Sequence, residues 1–220
     1  MSASPVRAVL FDLDGTLIDT AIDLADCGNA MRARLGLAPL SAETLRGFIG
    51  KGLANFIAMS LEGAAADPEE ATRFFQERYF ETCAANSRPY PGAIAGLDLL
   101  QAAGIALGVV TNKAGRFTEA ILERTGVRDR FAVVVSGDTL ANKKPHPEPI
   151  LHAARMLGAD IAQTLFIGDS GIDVAAARAA GCRVWLVPYG YSEGVNAGSL
   201  GADAIVPDIE AAAKSITIRA

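Results

Sequence analysis

Short apolar runs recur along the chain, and each is followed by a polar residue, a glycine or a proline. Runs of this kind, bounded by turn signals, are typical of strands that are buried on both faces of a sheet. The pattern therefore predicts six strands, of which the last is the weakest. They cover residues 8–11, 105–110, 131–135, 165–167, 184–187 and 204–206.

Helical periodicity fills the intervals between the later strands. In one interval Ile150, Ala154 and Leu157 fall on the same helix face. Strands that alternate with helices predict right-handed crossovers and a parallel sheet with helices on both faces, an α/β fold. The predicted helices cover residues 92–103, 116–125, 149–158 and 172–180.

The segment from residue 19 to residue 88 differs from the rest because it contains no strand-like run. Its apolar residues instead repeat at helical spacing in three groups, separated by proline and glycine. The groups are Leu24, Met31 and Leu35; then Leu45, Phe48, Ile49, Phe56 and Ile57; then Ala71, Phe74, Phe75 and Tyr79. The pattern predicts a helical module over residues 18–88, inserted into a core formed by residues 1–17 and 89–220.

Composition narrows the classes of function. The chain has 220 residues, 50% of them hydrophobic, and 25 acidic residues against 20 Lys and Arg give a net charge of −5. This balance argues against constitutive binding of nucleic acid or of an anionic membrane, since both need a basic face. Residues 1–7 do not resemble a secretory signal, and no uncharged stretch reaches the roughly 20 residues of a membrane span. We therefore expect a cytoplasmic protein without a nucleic-acid or membrane partner.

Histidine and cysteine contribute little to the expected chemistry. The two histidines, His146 and His152, lie in one short segment, which leaves little room for a His-rich zinc site or a Ser/His/Asp triad. The three cysteines are far apart and form no Cys-x-x-Cys pair, so the sequence indicates neither a disulfide framework nor a structural zinc site. Carboxylates are the plentiful reactive groups.

Polar side chains follow four of the predicted strands, at the point where each strand ends. Because the carboxyl ends of parallel strands meet at one edge of a sheet, we expect these side chains to lie close together. Carboxylates can hold a hard divalent cation. A hydroxyl group and a lysine can bind a phosphoryl group, and the Asp12 carboxylate could attack its phosphorus atom. The residues are Asp12, Asp14, Thr111, Asn112, Lys143, Lys144, Asp169 and Asp173.

Four motifs at these strand ends resemble those of the haloacid dehalogenase superfamily. They are Asp-Leu-Asp-Gly-Thr at 12–16, Thr-Asn-Lys at 111–113, Lys-Pro-His-Pro at 144–147 and Gly-Asp-Ser-Gly-Ile-Asp at 168–173. The resemblance covers essentially the whole chain and implies a Rossmann-like parallel sheet core with an inserted all-helical cap domain. The segments 49–52, 143–147 and 189–191 are most similar to those of bacterial phosphoglycolate phosphatases. This implies a hydrolase of carbohydrate metabolism that cleaves 2-phosphoglycolate into glycolate and phosphate.

The same resemblance implies roles for the four aspartates. Asp12 would be the nucleophile that forms an aspartyl-phosphate, and Asp14 would be the general acid and then the general base. Mg²⁺ would be held by Asp12, Asp169 and the backbone carbonyl of Asp14, with Asp173 supporting the metal side. Asp14 must be protonated to act as an acid, and a negative neighbour together with partial burial would favour the protonated form.

Three further residues are implied to bind the transferred phosphoryl group. Thr111 and the backbone of Asn112 would bind its oxygens, and Lys144 would neutralise its charge. Specificity is expected from the cap, whose loop at Gly50 and Lys51 would face the leaving group. Lys51 or Arg46 could then bind a carboxylate group of the substrate. The substrate is expected to be a small phosphorylated metabolite, and the protein a monomer or a homodimer.

Alternatives remain open at this stage. The same chemistry could act on a sugar phosphate, an amino-sugar phosphate, a nucleotide or pyrophosphate, and a phosphomutase or a non-catalytic binding protein would share the fold. A dehalogenase is disfavoured because Asp14 is present. The Asp-Gly pair at 14–15 could form a hairpin turn, Ser170 and Asp173 also make a helix-capping pattern, and the Gly50–Gly52 loop could be a solvated turn.

Overall fold

The computed structural model describes residues 5–191 and 196–218. The polar start of the chain, and the parts of the predicted core at residues 1–4, 192–195 and 219–220, lie outside the described residues. Eight strands occur in the part that is described. They are β1 (Ala8–Phe11), β2 (Ile18–Asp19), β3 (Arg88–Pro89), β4 (Ala106–Val110), β5 (Val133–Val135), β6 (Thr164–Gly168), β7 (Arg183–Leu186) and β8 (Ala204–Ile205).

Six of these strands form a parallel sheet in the order β5-β4-β1-β6-β7-β8. The predicted α/β fold with a parallel sheet is therefore confirmed, and each predicted run gives a strand within two residues of its expected ends. β1 is central, with Ala8 opposite Ala106 on one side and Thr164 on the other. All four of its side chains are buried, as its uninterrupted apolar sequence requires.

Helices cover both faces of the sheet. Alternate residues of β1 face opposite sides, so that Val9 and Phe11 belong to one hydrophobic cluster and Leu10 to the other. The first cluster packs against α5 (Ala93–Ala102), α6 (Gly115–Arg124) and α9 (Ile209–Thr217); the second packs against α7 (Glu148–Met156) and α8 (Gly171–Ala180). Four of these helices match the predicted ones, whereas α9 was not predicted. No helix in the described part is long and apolar enough to cross a membrane.

Four helices lie between β2 and β3: α1 (Ala21–Arg34), α2 (Ala42–Arg46), α3 (Leu53–Ser60) and α4 (Pro68–Thr82). The sequence pattern predicted three groups, but the second group is divided between α2 and α3. The interruption includes Gly50, which adopts a φ of +108°, a conformation that side chains with a Cβ rarely adopt. The segment therefore turns where the apolar periodicity alone suggested continuity.

A short antiparallel ribbon joins the inserted helices to the sheet. Ile18 pairs with Pro89 and Asp19 with Arg88, where the chain leaves the sheet and where it returns. The sequence analysis found no strand here, because two residues are too few to show an alternating pattern.

Aromatic contacts connect the interior of the inserted helices to the helices of the sheet. Phe75 on α4 lies between Phe56 on α3 and Tyr79, with ring centroids 5.4 and 5.5 Å apart. Tyr79 continues the series to Phe117 on α6, at 5.1 Å with the rings nearly edge to face. Such pairs are favourable beyond their apolar burial, so the series holds α4 against α6 beside the carboxyl edge of the sheet.

Candidate active site

The structure brings three predicted metal-binding residues together at the carboxyl edge of the sheet. Asp12 follows β1, and Asp169 and Asp173 follow the adjacent strand β6. One carboxylate oxygen of each residue lies within 4.8 Å of the others. A compact group of oxygen donors with high negative charge suits a hard divalent cation.

Lys144 lies beneath these carboxylates and is itself buried. Its Nζ atom is 2.7 Å from Oδ1 of Asp173 and 3.0 Å from Oδ1 of Asp12. The backbone N–H of Leu13 also donates to Oδ1 of Asp12, at 2.7 Å. No donor of the described residues contacts Oδ2 of Asp12, so this oxygen is the one left for a reaction.

Burial shifts the pKa values of these groups. Burial raises the pKa of Asp12 from 3.8 to about 7; Lys144 limits the rise, and the charges of Asp173 and Asp14 add to it. Burial and the charges of Asp173 and Asp12 also hold the pKa of Asp169 well above its usual range. For Lys144 burial lowers the pKa, but Asp12 and Asp173 outweigh it and raise the pKa above its usual value, so the ammonium stays protonated. Further positive charge is needed to keep both carboxylates ionised.

Asp169 is held by two residues that the sequence analysis gave no role. Thr16 donates from Oγ1 to Oδ1 of Asp169 at 3.2 Å, and the backbone N–H of Tyr191 donates to Oδ2 at 2.6 Å. Between these contacts Gly190 approaches so closely that a Cβ there would lie 2.2 Å from Oδ2. Only glycine fits this position. The resemblance had singled out residues 189–191, but nothing in the sequence indicated that they contact Asp169.

Asp173 caps α8 and also contacts Lys144 and Asp169. Its Oδ2 atom accepts from Ser170 Oγ at 2.7 Å and from the backbone N–H of Asp169 at 3.2 Å, and together with Ser170 it forms a capping box at the start of α8. Its Oδ1 atom accepts from Lys144. With both oxygens engaged, Asp173 is better suited to position Lys144 and Asp169 than to bind a ligand directly.

Asp14 has two neighbours that were not anticipated. Its Oδ1 atom accepts from Thr20 Oγ1 at 2.5 Å, and both of its oxygens contact Lys113 Nζ, at 2.9 and 3.0 Å. A negative neighbour was expected beside Asp14, whereas the structure places a cation there. Lys113 was part of the motif at 111–113, and its position after β4 on the same sheet edge was the signal that could have identified it.

Thr111 and Asn112 lie beside this pair. The Thr111 hydroxyl oxygen accepts from the backbone N–H of Lys113 at 3.2 Å, and its proton has no acceptor among the described residues. The side chain of Asn112 donates to the backbone carbonyl of Lys144 at 2.9 Å and more weakly to that of Gly50, at 3.5 Å. Asn112 therefore connects the Lys144 loop to the inserted helices.

A pocket opens above Asp12 and Asp14, between the sheet edge and the inserted helices. Gly50 and Gly52 line it, but Lys51 is exposed and does not. Arg46 does not line it either, because its guanidinium donates to the backbone carbonyls of Tyr189 and Gly190. The apolar lining residues are Leu24, Phe48, Ile49, Leu53, Phe56, Phe75, Tyr79, Ala114 and Phe117.

Comparisons with known proteins find relatives along nearly the whole chain. The family model for haloacid dehalogenase-like hydrolases matches residues 9–187. A phosphoglycolate phosphatase of Thiobacillus denitrificans is 43% identical over 97% of this chain and 96% of its own length. An N-acetylmuramic acid 6-phosphate phosphatase of Pseudomonas aeruginosa is 41% identical over 94% of this chain and 92% of its own length.

The fold is also similar to a solved structure. A crystal structure described as that of a predicted phosphoglycolate phosphatase from Haemophilus somnus 129pt superposes with a TM-score of 0.91 at 30% identity. The match covers 96% of this chain and 97% of the solved one. The similarity therefore includes both the sheet and the inserted helices.

Proposed function

Because this chain belongs to the haloacid dehalogenase-like hydrolases, we propose that it is a phosphatase that hydrolyses 2-phosphoglycolate to glycolate and phosphate. The observation that carries the chemistry is the position of Asp12, beside Asp169 and Asp173 and 3.0 Å from Lys144. The substrate is supported by the full-length relatives that bear this activity in their names. The fold supports a phosphatase for small metabolites in general.

Asp12 starts the reaction in this proposal. Its free Oδ2 atom attacks phosphorus, the bond from phosphorus to the ester oxygen breaks, and an aspartyl-phosphate forms. Asp14 gives its proton to the departing glycolate oxygen, which avoids the release of an alkoxide. Hydrogen bonds from Lys113 and Thr20 hold the Asp14 side chain in place for this transfer.

Asp14 then reverses its role. As a carboxylate it takes a proton from a water molecule, which attacks the phosphorus of the aspartyl-phosphate. The bond from phosphorus to Asp12 breaks, so that phosphate leaves and the Asp12 carboxylate is restored. One residue can serve as acid and then as base because the first half-reaction leaves it deprotonated.

Mg²⁺ is the proposed cofactor, held by Asp12, Asp169 and the backbone carbonyl of Asp14, with Asp173 in support. The donor set fits, because Asp12, Asp169 and Asp173 have Lys144 as their buried cation and together leave a formal charge of −2 that one divalent ion balances. When bound, Mg²⁺ offsets the negative charge of the phosphoryl group as the Asp12 carboxylate approaches it.

Thr111, Asn112 and Lys144 bind the phosphoryl group in this scheme. The Thr111 hydroxyl has a proton to donate, the Asn112 backbone N–H lies beside it, and the Lys144 ammonium is fixed by Asp12 and Asp173. Donors that are already in position stabilise charge in the transition state without further reorganisation.

The inserted helices act as a cap domain in this proposal, over residues 18–88, and the core comprises residues 1–17 and 89–220. A cap that covers the sheet edge excludes water during the first transfer. Gly50 would face the leaving group, since its backbone lines the pocket.

N-acetylmuramic acid 6-phosphate is the second candidate substrate, because one relative of similar identity carries that name. The two substrates differ in the size of the leaving group, a sugar ring against two carbon atoms. We favour the smaller one because bulky apolar side chains line the pocket. A comparison of kcat/KM for the two esters decides between them.

Phosphate release from 2-phosphoglycolate with Mg²⁺ tests the function. Wild type incubated with substrate that carries phosphorus-32 should acquire an acid-stable label on the protein. We expect Asp12→Asn to lose both this label and the phosphatase activity, since the amide is a poor nucleophile. Asp26→Asn, on the exposed side of α1, is the matched control and should match the wild type. Absence of Mg²⁺-dependent phosphate release by the wild type, or full activity of Asp12→Asn, would contradict the proposal.

A further inference from the structure

The pocket above Asp14 has one positive side chain. Of the described residues that line it, Lys113 alone is cationic. Lys144 lies deeper, between Asp12 and Asp173, and does not line this pocket. A charged part of a leaving group that enters the pocket therefore meets Lys113.

Lys113 is held in position by charge and by an aromatic ring. Its side chain is 7% exposed, and Nζ lies 5.1 Å from the centre of the Tyr79 ring as well as beside Asp14. An ammonium group has three N–H donors, and both hydrogen bonds of Nζ in the described structure go to Asp14. At least one donor remains for a ligand.

Two orphaned polar atoms lie on residues that line the same pocket. The hydroxyl of Tyr79 and Oδ1 of Asn112 are buried and have no hydrogen-bond partner among the described residues. Buried polar atoms are rarely left unpaired, because the loss of water around them is costly. The Asn112 oxygen can only accept and so does not favour an acidic ligand, whereas the Tyr79 hydroxyl and the unused donor of Lys113 are the groups that a carboxylate in this part of the pocket would satisfy.

The proposed reaction determines where a carboxylate of the leaving group must lie. Asp14 protonates the ester oxygen, and in 2-phosphoglycolate a single methylene carbon separates that oxygen from the carboxylate. The carboxylate therefore lies within a few atoms of Asp14, where the Lys113 ammonium is found. In N-acetylmuramic acid 6-phosphate the carboxylate is separated from the ester oxygen by the sugar ring and cannot occupy this position.

We propose that Lys113 binds the carboxylate of the leaving group and so gives the enzyme its preference for short phosphate esters that carry a carboxylate next to the ester carbon. The inference rests on the proposed function, because Asp12 and Asp14 locate the ester oxygen. Lys113 contacts Asp14 before substrate binds and is shared between Asp14 and the carboxylate afterwards. Its charge counts strongly because most of the other side chains that line the pocket are apolar.

The test compares 2-phosphoglycolate with its neutral amide, 2-phosphoglycolamide, which has the same ester oxygen and nearly the same shape. We expect Lys113→Gln to lower kcat/KM for the acid by roughly 10- to 100-fold more than for the amide, because a charge-assisted hydrogen bond is lost. Lys113→Arg, which keeps the charge, should retain part of the preference. Lys143→Gln, at an exposed lysine, is the matched control and should keep the wild-type preference.

The outcomes separate this inference from the proposed function. If Lys113→Gln slows both esters equally, Lys113 acts only through Asp14 or through folding, and the inference is wrong while the function stands. If the wild type cleaves the amide as well as the acid, the inference is wrong while the function stands. If the wild type cleaves neither ester, the proposed substrate is wrong and the inference falls with it. If Lys113→Gln does not fold, Lys113→Met and Lys113→Arg replace it. The inference is supported if Lys113→Met loses the preference for the acid and Lys113→Arg keeps it. It is overturned if Lys113→Met keeps the preference and Lys113→Arg loses it.

Discussion

Arg46 stacks on the ring of Tyr191, with its guanidinium carbon 4.8 Å from the ring centre. The same guanidinium donates to the carbonyls of Tyr189 and Gly190, at 3.0 and 3.2 Å. Tyr191 in turn donates its backbone N–H to Asp169, and its hydroxyl donates to Asp19 beside the start of α1. One loop of the core therefore contacts the inserted helices, the ribbon that carries them and a predicted metal ligand.

Removal of this contact should weaken catalysis more than stability. We expect Arg46→Met to lower kcat/KM by about 5- to 100-fold, because the arrangement in which the helices cover the site becomes less populated. Arg34→Met is the matched control, because within the described structure Arg34 pairs with Glu70 and stacks on Phe74, both on α4. Steady-state kinetics of both variants check this, and wild-type kcat/KM in Arg46→Met would exclude a role for the contact in catalysis.

Loss of the Lys144 ammonium should be costly to folding as well as to activity. Lys144→Met leaves Asp12 and Asp173 buried without their shared cation, and we expect the free energy of unfolding to fall by about 3 to 5 kcal/mol. Urea unfolding of metal-free protein measures the change. Lys143→Met, at the exposed neighbour, should change stability by no more than about 0.5 kcal/mol. Equal stability of the two variants would show that the buried ion pairs contribute little.

The raised pKa of Asp12 predicts a specific dependence of stability on pH. The folded protein holds the Asp12 proton up to about pH 7, whereas the unfolded chain releases it near 3.8. The contribution of the Asp12 proton to the free energy of unfolding is therefore fully present below the pKa of the unfolded chain, and it is lost as the pH rises through the pKa of the folded protein. We expect the free energy of unfolding of metal-free wild type to fall over this range relative to that of Asp12→Asn, measured by urea titration with a chelator.

Metal should reverse this trend. A divalent ion binds the ionised carboxylates in competition with protons, so the stabilisation by Mg²⁺ should grow as the pH rises from about 5 to about 8. Thermal unfolding with and without Mg²⁺ at each pH checks this, and Asp169→Asn should abolish most of the effect. An Mg²⁺ effect that is independent of pH would place the ion away from Asp12 and Asp169.

Two helix caps allow a test of how Asp173 is held. Ser170 caps α8 and binds Oδ2 of Asp173, whereas Ser41 caps α2 through the backbone N–H of Thr44 and also contacts the Thr44 hydroxyl. Each serine-to-alanine substitution should cost about 0.5 to 2 kcal/mol of unfolding free energy. Only Ser170→Ala should also lower kcat, because it loosens the carboxylate that positions Lys144. Equal kcat values for the two variants would limit Ser170 to capping.

Local pattern was enough to predict the sheet and its edge. Buried strands such as β1 are apolar at every position, and the helices between them repeat their apolar residues at helical spacing, so both can be recognised from neighbouring residues. Since all parallel strands end at the same edge, the convergence of Asp12, Asp169 and Lys144 followed from the fold class. The division of the second helical group into α2 and α3 did not, because an apolar periodicity continues across a turn.

The partners of the reactive groups depended on the tertiary structure. Lys113 meets Asp14 because β4 lies directly beside β1, and the order of the strands was not predicted. Tyr191 and Thr16 meet Asp169, and Arg46 meets the carbonyl of Tyr189, across large separations along the chain. Such contacts leave no periodic signal, because each depends on the path of a loop after its strand ends. The sequence thus predicted which groups carry the chemistry, and packing decided which cation faces Asp14 and which loop holds Asp169.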